Sequence, residues 1–100
     1  MRVIAGEFKG RKLNSAKGRE VRPTADRVKE AIFSMVQDEL EGAVCLDLFA
    51  GSGAMGIEAL SRGAARVYFC DAGAASVDII RQNLDSCRAD GRRAVLIKTE

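Results

Sequence analysis

A chain of 100 residues with 47% hydrophobic and 30% charged residues has the composition of one globular domain and excludes disordered, collagen-like and fibrous classes. No apolar run approaches the roughly 18 residues of a membrane span, and Met1-Arg2-Val3-Ile4-Ala5-Gly6-Glu7 meets a charge before a signal-like core forms, so the expected compartment is the cytoplasm and no membrane partner is expected. Three widely spaced cysteines and no histidine argue against a disulfide framework, a metal site and His-based nucleophiles, leaving carboxylates, backbone groups or a cofactor for chemistry.

The charge is divided along the chain. Residues 1–29 hold nine Lys/Arg against three acids, and the other 71 residues hold seven against eleven, so a +6 arm precedes a −4 body. A basic arm is the footprint of a phosphate-rich partner, and nucleic acid is the expected one. The candidate phosphate contacts are Arg2, Lys9, Arg11, Lys12, Arg22 and Arg27, with Phe8 as the one aromatic able to stack a base. A merely solvated arm is the alternative.

Arg2–Ala5 and Gly10–Leu13 are short segments whose intervening glycines fit a β-hairpin. Residues 14–22 read as a loop ending at Pro23. Thr24 then caps a helix from Ala25 to about Leu40, with Val28, Ile32, Met35, Val36 and Leu40 on its inward face. Ala43–Phe49 is an apolar run expected to form a strand covered on both faces. A glycine-rich turn and a helix from Met55 to about Arg62 follow, then a strand at Arg66–Asp71. Ala74–Cys87 predicts a helix with Val77, Ile80, Leu84 and Cys87 inward, and Ala94–Lys98 a third strand. Cys45, Cys70 and Cys87 read as small buried apolar side chains.

Strand, helix, strand, helix, strand is a right-handed parallel unit with strand order 3-2-1, an α/β Rossmann-like sheet. In doubly wound sheets a fourth strand lies on the other side of the first, and the ligand crevice opens where the order reverses. With three strands, the most apolar one is an unpaired edge. The expected reading is the amino-terminal half of a larger domain, with self-association through that edge. A complete three-stranded minidomain that dimerises is the alternative.

Gly51-Ser52-Gly53-Ala54-Met55-Gly56 matches G-x-G-x-x-G between a strand and a helix, and Asp71 lies 20 residues beyond Gly51 at the next strand end. Glycines there let a ligand approach the backbone, and Asp71 can accept both hydroxyls of an adenosine ribose. NAD, FAD and S-adenosylmethionine all fit such a loop. Asp47, four residues before the first glycine, would repel a pyrophosphate and attract a sulfonium and a free amino group, which selects S-adenosylmethionine. It can also cap the loop. The expected cofactor site is Asp47, Phe49, Ala50, Gly51, Ser52, Gly53 and Gly56, with Asp71 and Ala72 at the second strand end.

Three segments carry a family likeness. Arg2-Val-Ile-Ala-Gly6 with Gly10-Arg-Lys-Leu13, then Arg22-Pro-Thr-Ala-Asp-Arg-Val-Lys-Glu-Ala-Ile-Phe33, then Asp47-Leu-Phe-Ala-Gly-Ser-Gly-Ala-Met-Gly-Ile-Glu-Ala-Leu-Ser-Arg-Gly63 together resemble the bacterial small-subunit ribosomal RNA guanine-N2 methyltransferase family. The resemblance spans essentially the whole chain. It implies a class I methyltransferase fold, methyl transfer to the exocyclic amine of a guanine in ribosomal RNA or a small-subunit assembly intermediate, and a basic hairpin on the RNA side. The family's (Asp/Asn)-Pro-Pro-aromatic catalytic tetrapeptide has no counterpart, because Pro23 is the only proline. Small residues, Ala72-Gly73-Ala74-Ala75, also stand where relatives tend to be charged or polar after the acid.

The expected organisation is therefore residues 1–23 as the RNA-side hairpin and loop, and 24–100 as the cofactor half-domain, with no catalytic residue in this chain. A catalytically silent cofactor- or RNA-binding module is the runner-up. An NAD-dependent oxidoreductase half is a third reading, and Asp47 opposes it.

Overall fold

In the computed structural model, which describes residues 1–15, 23–48 and 50–99, the elements are α1 (Pro23–Leu40), β1 (Val44–Leu48), α2 (Ala54–Ser61), β2 (Arg66–Asp71), α3 (Ala74–Ser86) and β3 (Ala94–Lys98). Arg22, Phe49, most of the expected loop and the side chain of Thr24 lie outside the described residues. The three strands form one parallel sheet in the order β1-β2-β3, with Asp47 beside Phe69 and Phe69 beside Leu96. From α1 onward, each expected helix and strand is present within two residues of its expected bounds.

Right-handed crossovers that step in one direction put α2 and α3 on the same side of the sheet. Ile57, Leu60, Val67, Phe69, Ile80 and Leu84 form the core between them. Gly56 allows this packing, since a Cβ there would run into the Phe69 ring. Val44, Leu46 and Leu48 point the other way and are 68%, 61% and 59% exposed. The expectation that β1 is covered on both faces is therefore corrected: only its α2 side, carrying Cys45 and Asp47, is packed. Cys45 is correspondingly half-buried, unlike Cys70 and Cys87.

The inward face of α1 also differs from expectation. Lys29, Phe33 and Leu40 are buried and Val36 packs beside them, whereas Val28, Ile32 and Met35 are exposed. The helix is rotated toward a polar partner that periodicity does not reveal, Glu58 on α2, which lies 3.2 Å from Lys29 Nζ. Lys29 also donates to the Arg2 carbonyl at 3.0 Å. It is thus withdrawn from the basic surface of the arm.

The arm is a tight turn rather than two full strands. Its ladder is a single antiparallel bridge, Arg2 to Lys12, flanked by Val3 N–H to Arg11 O and Leu13 N–H to Met1 O. Val3, Phe8 and Leu13 enter the same core as the sheet. Phe8 is 5% exposed, so it is a core residue and no stacking platform for a base.

Candidate functional site

The loop between β1 and α2 is pinned at both ends by carboxylates. Asp71, at the end of β2, accepts Gly51 N–H on Oδ2 and Gly73 N–H on Oδ1, each at 2.9 Å. Asp47, on β1, accepts Gly56 N–H on Oδ2 at 3.1 Å, in the first turn of α2. Parallel pairing of β1 with β2 sets both acids at the same end of the sheet. Between them the chain turns through Gly51 (φ 58°) and Gly53 (φ 80°), left-handed conformations that favour glycine. A Cβ on Gly53 would face Ile80 at 3.2 Å, so a side chain there strains the loop and the α3 packing.

The two carboxylates are tuned in opposite directions. Burial pushes Asp47 above its ordinary value, against the Gly56 N–H, and the charge of Asp71 adds to the rise. The N–H groups of Gly73 and Gly51 hold Asp71, itself partly open, below its ordinary value. Asp71 therefore stays ionised and keeps lone pairs for external donors, while Asp47 is a half-buried carboxylate at the head of a helix. Of the other expected cofactor residues, Ala50, Gly51 and Ser52 are partly open, Ala72 is exposed, and Gly53 and Gly56 are buried.

Beside Asp47 a cleft of about 350 Å³ runs along the free edge of β1, lined by Phe33, Cys45, Leu48, Met55, Gly56 and Val67 among others. Among the described residues no cluster of His, Cys, Asp and Glu could hold a metal ion, and no helix is long and apolar enough to cross a membrane.

Arg2, Lys9, Arg11 and Lys12 are exposed on the docked arm, and Arg27 is exposed on α1. The arm is fixed by groups that sequence reasoning passed over. Glu58, wholly buried, accepts from Ile4 N–H at 2.9 Å and Ala5 N–H at 3.1 Å, and pairs with Arg62 at 2.9 Å. Burial alone would raise this carboxyl, but the Ile4 N–H, Arg62, Lys29 and Ala5 together hold it below its ordinary value. Ser61 receives Phe8 N–H at 2.8 Å and donates to Ala5 O. Arg93 reaches Glu7 and the carbonyls of Leu60 and Ala64. Asn83 on α3, also buried, joins Asn14 to Ser52. The available signal was a charged residue inside the otherwise apolar Gly56–Leu60 run.

The family described as Conserved hypothetical protein 95 matches residues 1–100. This chain belongs to that family. Ribosomal RNA small subunit methyltransferase D of Haemophilus influenzae is 39% identical over 97 residues, which is 97% of this chain and 50% of the relative. The Escherichia coli protein of the same name is 41% identical over 95 residues, 95% of this chain and 48% of the relative. The solved structure of yhhF from Escherichia coli superposes with a TM-score of 0.87 at 39% identity, covering 100% of this chain and 53% of that one. The chain thus spans about half the length of the curated relatives it matches. Its α/β sheet is the class I methyltransferase fold, as the family resemblance implied.

Proposed function

We propose that this chain is the cofactor-binding half of an S-adenosylmethionine-dependent enzyme that methylates small-subunit ribosomal RNA at a guanine N2 amine. The observation that carries the cofactor assignment is the Asp47 carboxylate on Gly56 N–H, at the amino terminus of α2. In dinucleotide-binding folds that helix end receives a pyrophosphate. Here an anion already occupies the donor, so a second anion is repelled and a cationic ligand is favoured.

S-adenosylmethionine would supply an electrophilic methyl on a sulfonium. Asp47 would attract its positive centres, Asp71 would accept from the ribose hydroxyls, and the backbone of Ala50, Gly51 and Ser52 would line the approach, with Phe49 and Ala72 beside them. Gly53 and Gly56 would shape the loop without touching the ligand. Arg2, Lys9, Arg11 and Lys12, with Arg22 and Arg27, would hold RNA phosphates. The exposed edge and face of β1 support the half-domain reading, because Leu46 and Leu48 have no partner among the described residues. The same edge is where the isolated polypeptide would self-associate.

A radiolabelled methyl-transfer assay on undermethylated small-subunit RNA tests this reading. The longer gene product is expected to place label on guanine N2, and the 100-residue polypeptide to transfer none. Label on another base overturns the N2 assignment. Turnover by the polypeptide alone would place the acceptor site among residues described here as structural.

A further inference from the structure

Asn83 is 1% exposed and sits in the last turn of α3, where an amide is costly to bury unless its hydrogen bonds are met. Its bonds connect two places that the proposed function keeps separate. Oδ1 accepts Asn14 N–H at 2.8 Å, and Nδ2 donates to Asn14 O at 2.9 Å and to Ser52 O at 2.8 Å. Asn14 closes the basic turn, two residues after Lys12. Ser52 is the middle of the glycine loop. Among the described residues, the hydrogen bonds that join the arm to that loop all pass through this one amide.

We infer that Asn83 is a positioning residue that couples cofactor binding to RNA binding. This rests on the proposed function, which assigns the two ligands to the loop and the arm. The early part of the turn is held by Glu58 and Ser61 on α2, independently of the glycine loop. Its later part, Leu13–Asn14, is tied to the loop through Asn83. With Asn14 docked, the amide is turned so that Nδ2 fixes the Ser52 carbonyl, and the loop holds the shape a ligand would meet. With Asn14 released, the same amide loses two of its three bonds and is free to rotate away from the Ser52 carbonyl. A cofactor on the loop and phosphates on Arg11 and Lys12 both favour the docked state, so each ligand strengthens the other. Methyl transfer also needs RNA held by the arm to lie in register with the loop that holds the methyl donor.

The test is a binding cycle on the protein with purified small-subunit RNA and the unreactive probe S-adenosylhomocysteine. RNA affinity is expected to rise roughly 5-fold or more when the probe saturates the loop, the lower end of ordinary coupling. Asn83→Asp keeps the acceptor for Asn14 N–H and loses both donated bonds, so the ratio should fall to about one and the affinity for the probe alone should drop, with RNA affinity in the absence of probe nearly retained. Asn14→Pro weakens the same link from the arm side, removing the N–H that Oδ1 accepts and fixing the backbone at that position, and should lower the ratio toward one even if Asn83→Asp fails to fold. A ratio of one in the unaltered protein, or an undiminished ratio in both variants, overturns the coupling. Absence of probe binding altogether would instead overturn the proposed function.

Discussion

Lys29 Nζ and Glu58 Oε1 face each other at 3.2 Å with side chains 2% and 0% exposed, joining α1, α2 and the amino-terminal arm at one point. The pair is satisfied on all sides, by Arg62, by the Ile4 and Ala5 N–H groups and by the Arg2 carbonyl. Such a site is costly to break from one side, because the remaining charge is left buried without compensation. Glu58→Ala should destabilise the protein by about 3 to 5 kcal/mol in urea unfolding. A loss under about 1 kcal/mol would mean that water reaches the site.

The same carboxylate sets an acid limit. Its folded-state pKa is lowered, so its contribution is fully present above the unfolded glutamate value of about 4.3 and is lost as pH falls through the folded value. Unfolding midpoints should drop on acidification below that pH, and the drop should be shallower in Glu58→Gln. Parallel pH profiles for the two proteins would remove Glu58 from the acid response.

Asp47 behaves in the opposite sense. Its pKa is raised by burial, so ionisation costs the fold stability above the folded pKa, and the cost is relieved as pH falls through it. Asn at this position can still accept the Gly56 N–H. Asp47→Asn should therefore raise the Tm of the ligand-free protein near pH 7, and the gain should vanish below about pH 3.9, the unfolded value. A lower Tm at neutral pH would show that the charge itself stabilises the helix end more than its burial costs.

The elements and their order were legible because the apolar runs change period where helices give way to strands, and because Gly51–Gly56 punctuates the first crossover. The face of α1 was not. Val28, Ile32 and Met35 make a better apolar stripe than Lys29, Phe33 and Leu40, and only a long-range ion pair with Glu58 decides between them. The arm's docking was equally hidden. Its holdfasts, Ser61, Asn83 and Arg93, are polar residues whose partners lie more than 50 positions away in the chain. Asp47 was legible as a loop cap and as an acid in the crevice, since its spacing from Gly51 admits both.

Gly56 and Gly53 should fail for different reasons. Gly56→Ala drives a methyl into Phe69 between α2 and β2, an overpacking that should cost about 1 to 3 kcal/mol. Gly53→Ala keeps contacts of 3.2 Å or more to Ile80 but must hold φ 80°, which should cost about 1 to 2 kcal/mol. Thermal unfolding of both variants checks this. An unchanged Tm in Gly56→Ala would mean that the helix and sheet are further apart than described.

Exposed cations on a rigid support should act through phosphates. Replacing Arg2, Arg11 and Lys12 together by Ala should lower RNA affinity and flatten the slope of log K against log salt by about 2 to 3 units, from 0.7 to 0.9 per phosphate. All three are exposed, so the fold should be unaffected. An unchanged slope would make this surface a solvated one.

In the proposed function, a carboxylate at the head of α2 turns a nucleotide-type glycine loop into a site for a cationic cofactor. Calorimetric titration of the protein and of Asp47→Asn with S-adenosylmethionine and with NAD measures it directly. S-adenosylmethionine should bind the unaltered protein and lose roughly 1 to 3 kcal/mol in Asp47→Asn, the scale of a charge-assisted contact, while NAD should give no binding heat with the unaltered protein. NAD binding to it, or S-adenosylmethionine affinity indifferent to the loss of the charge, would show that the Asp47 charge does not select the ligand of this loop.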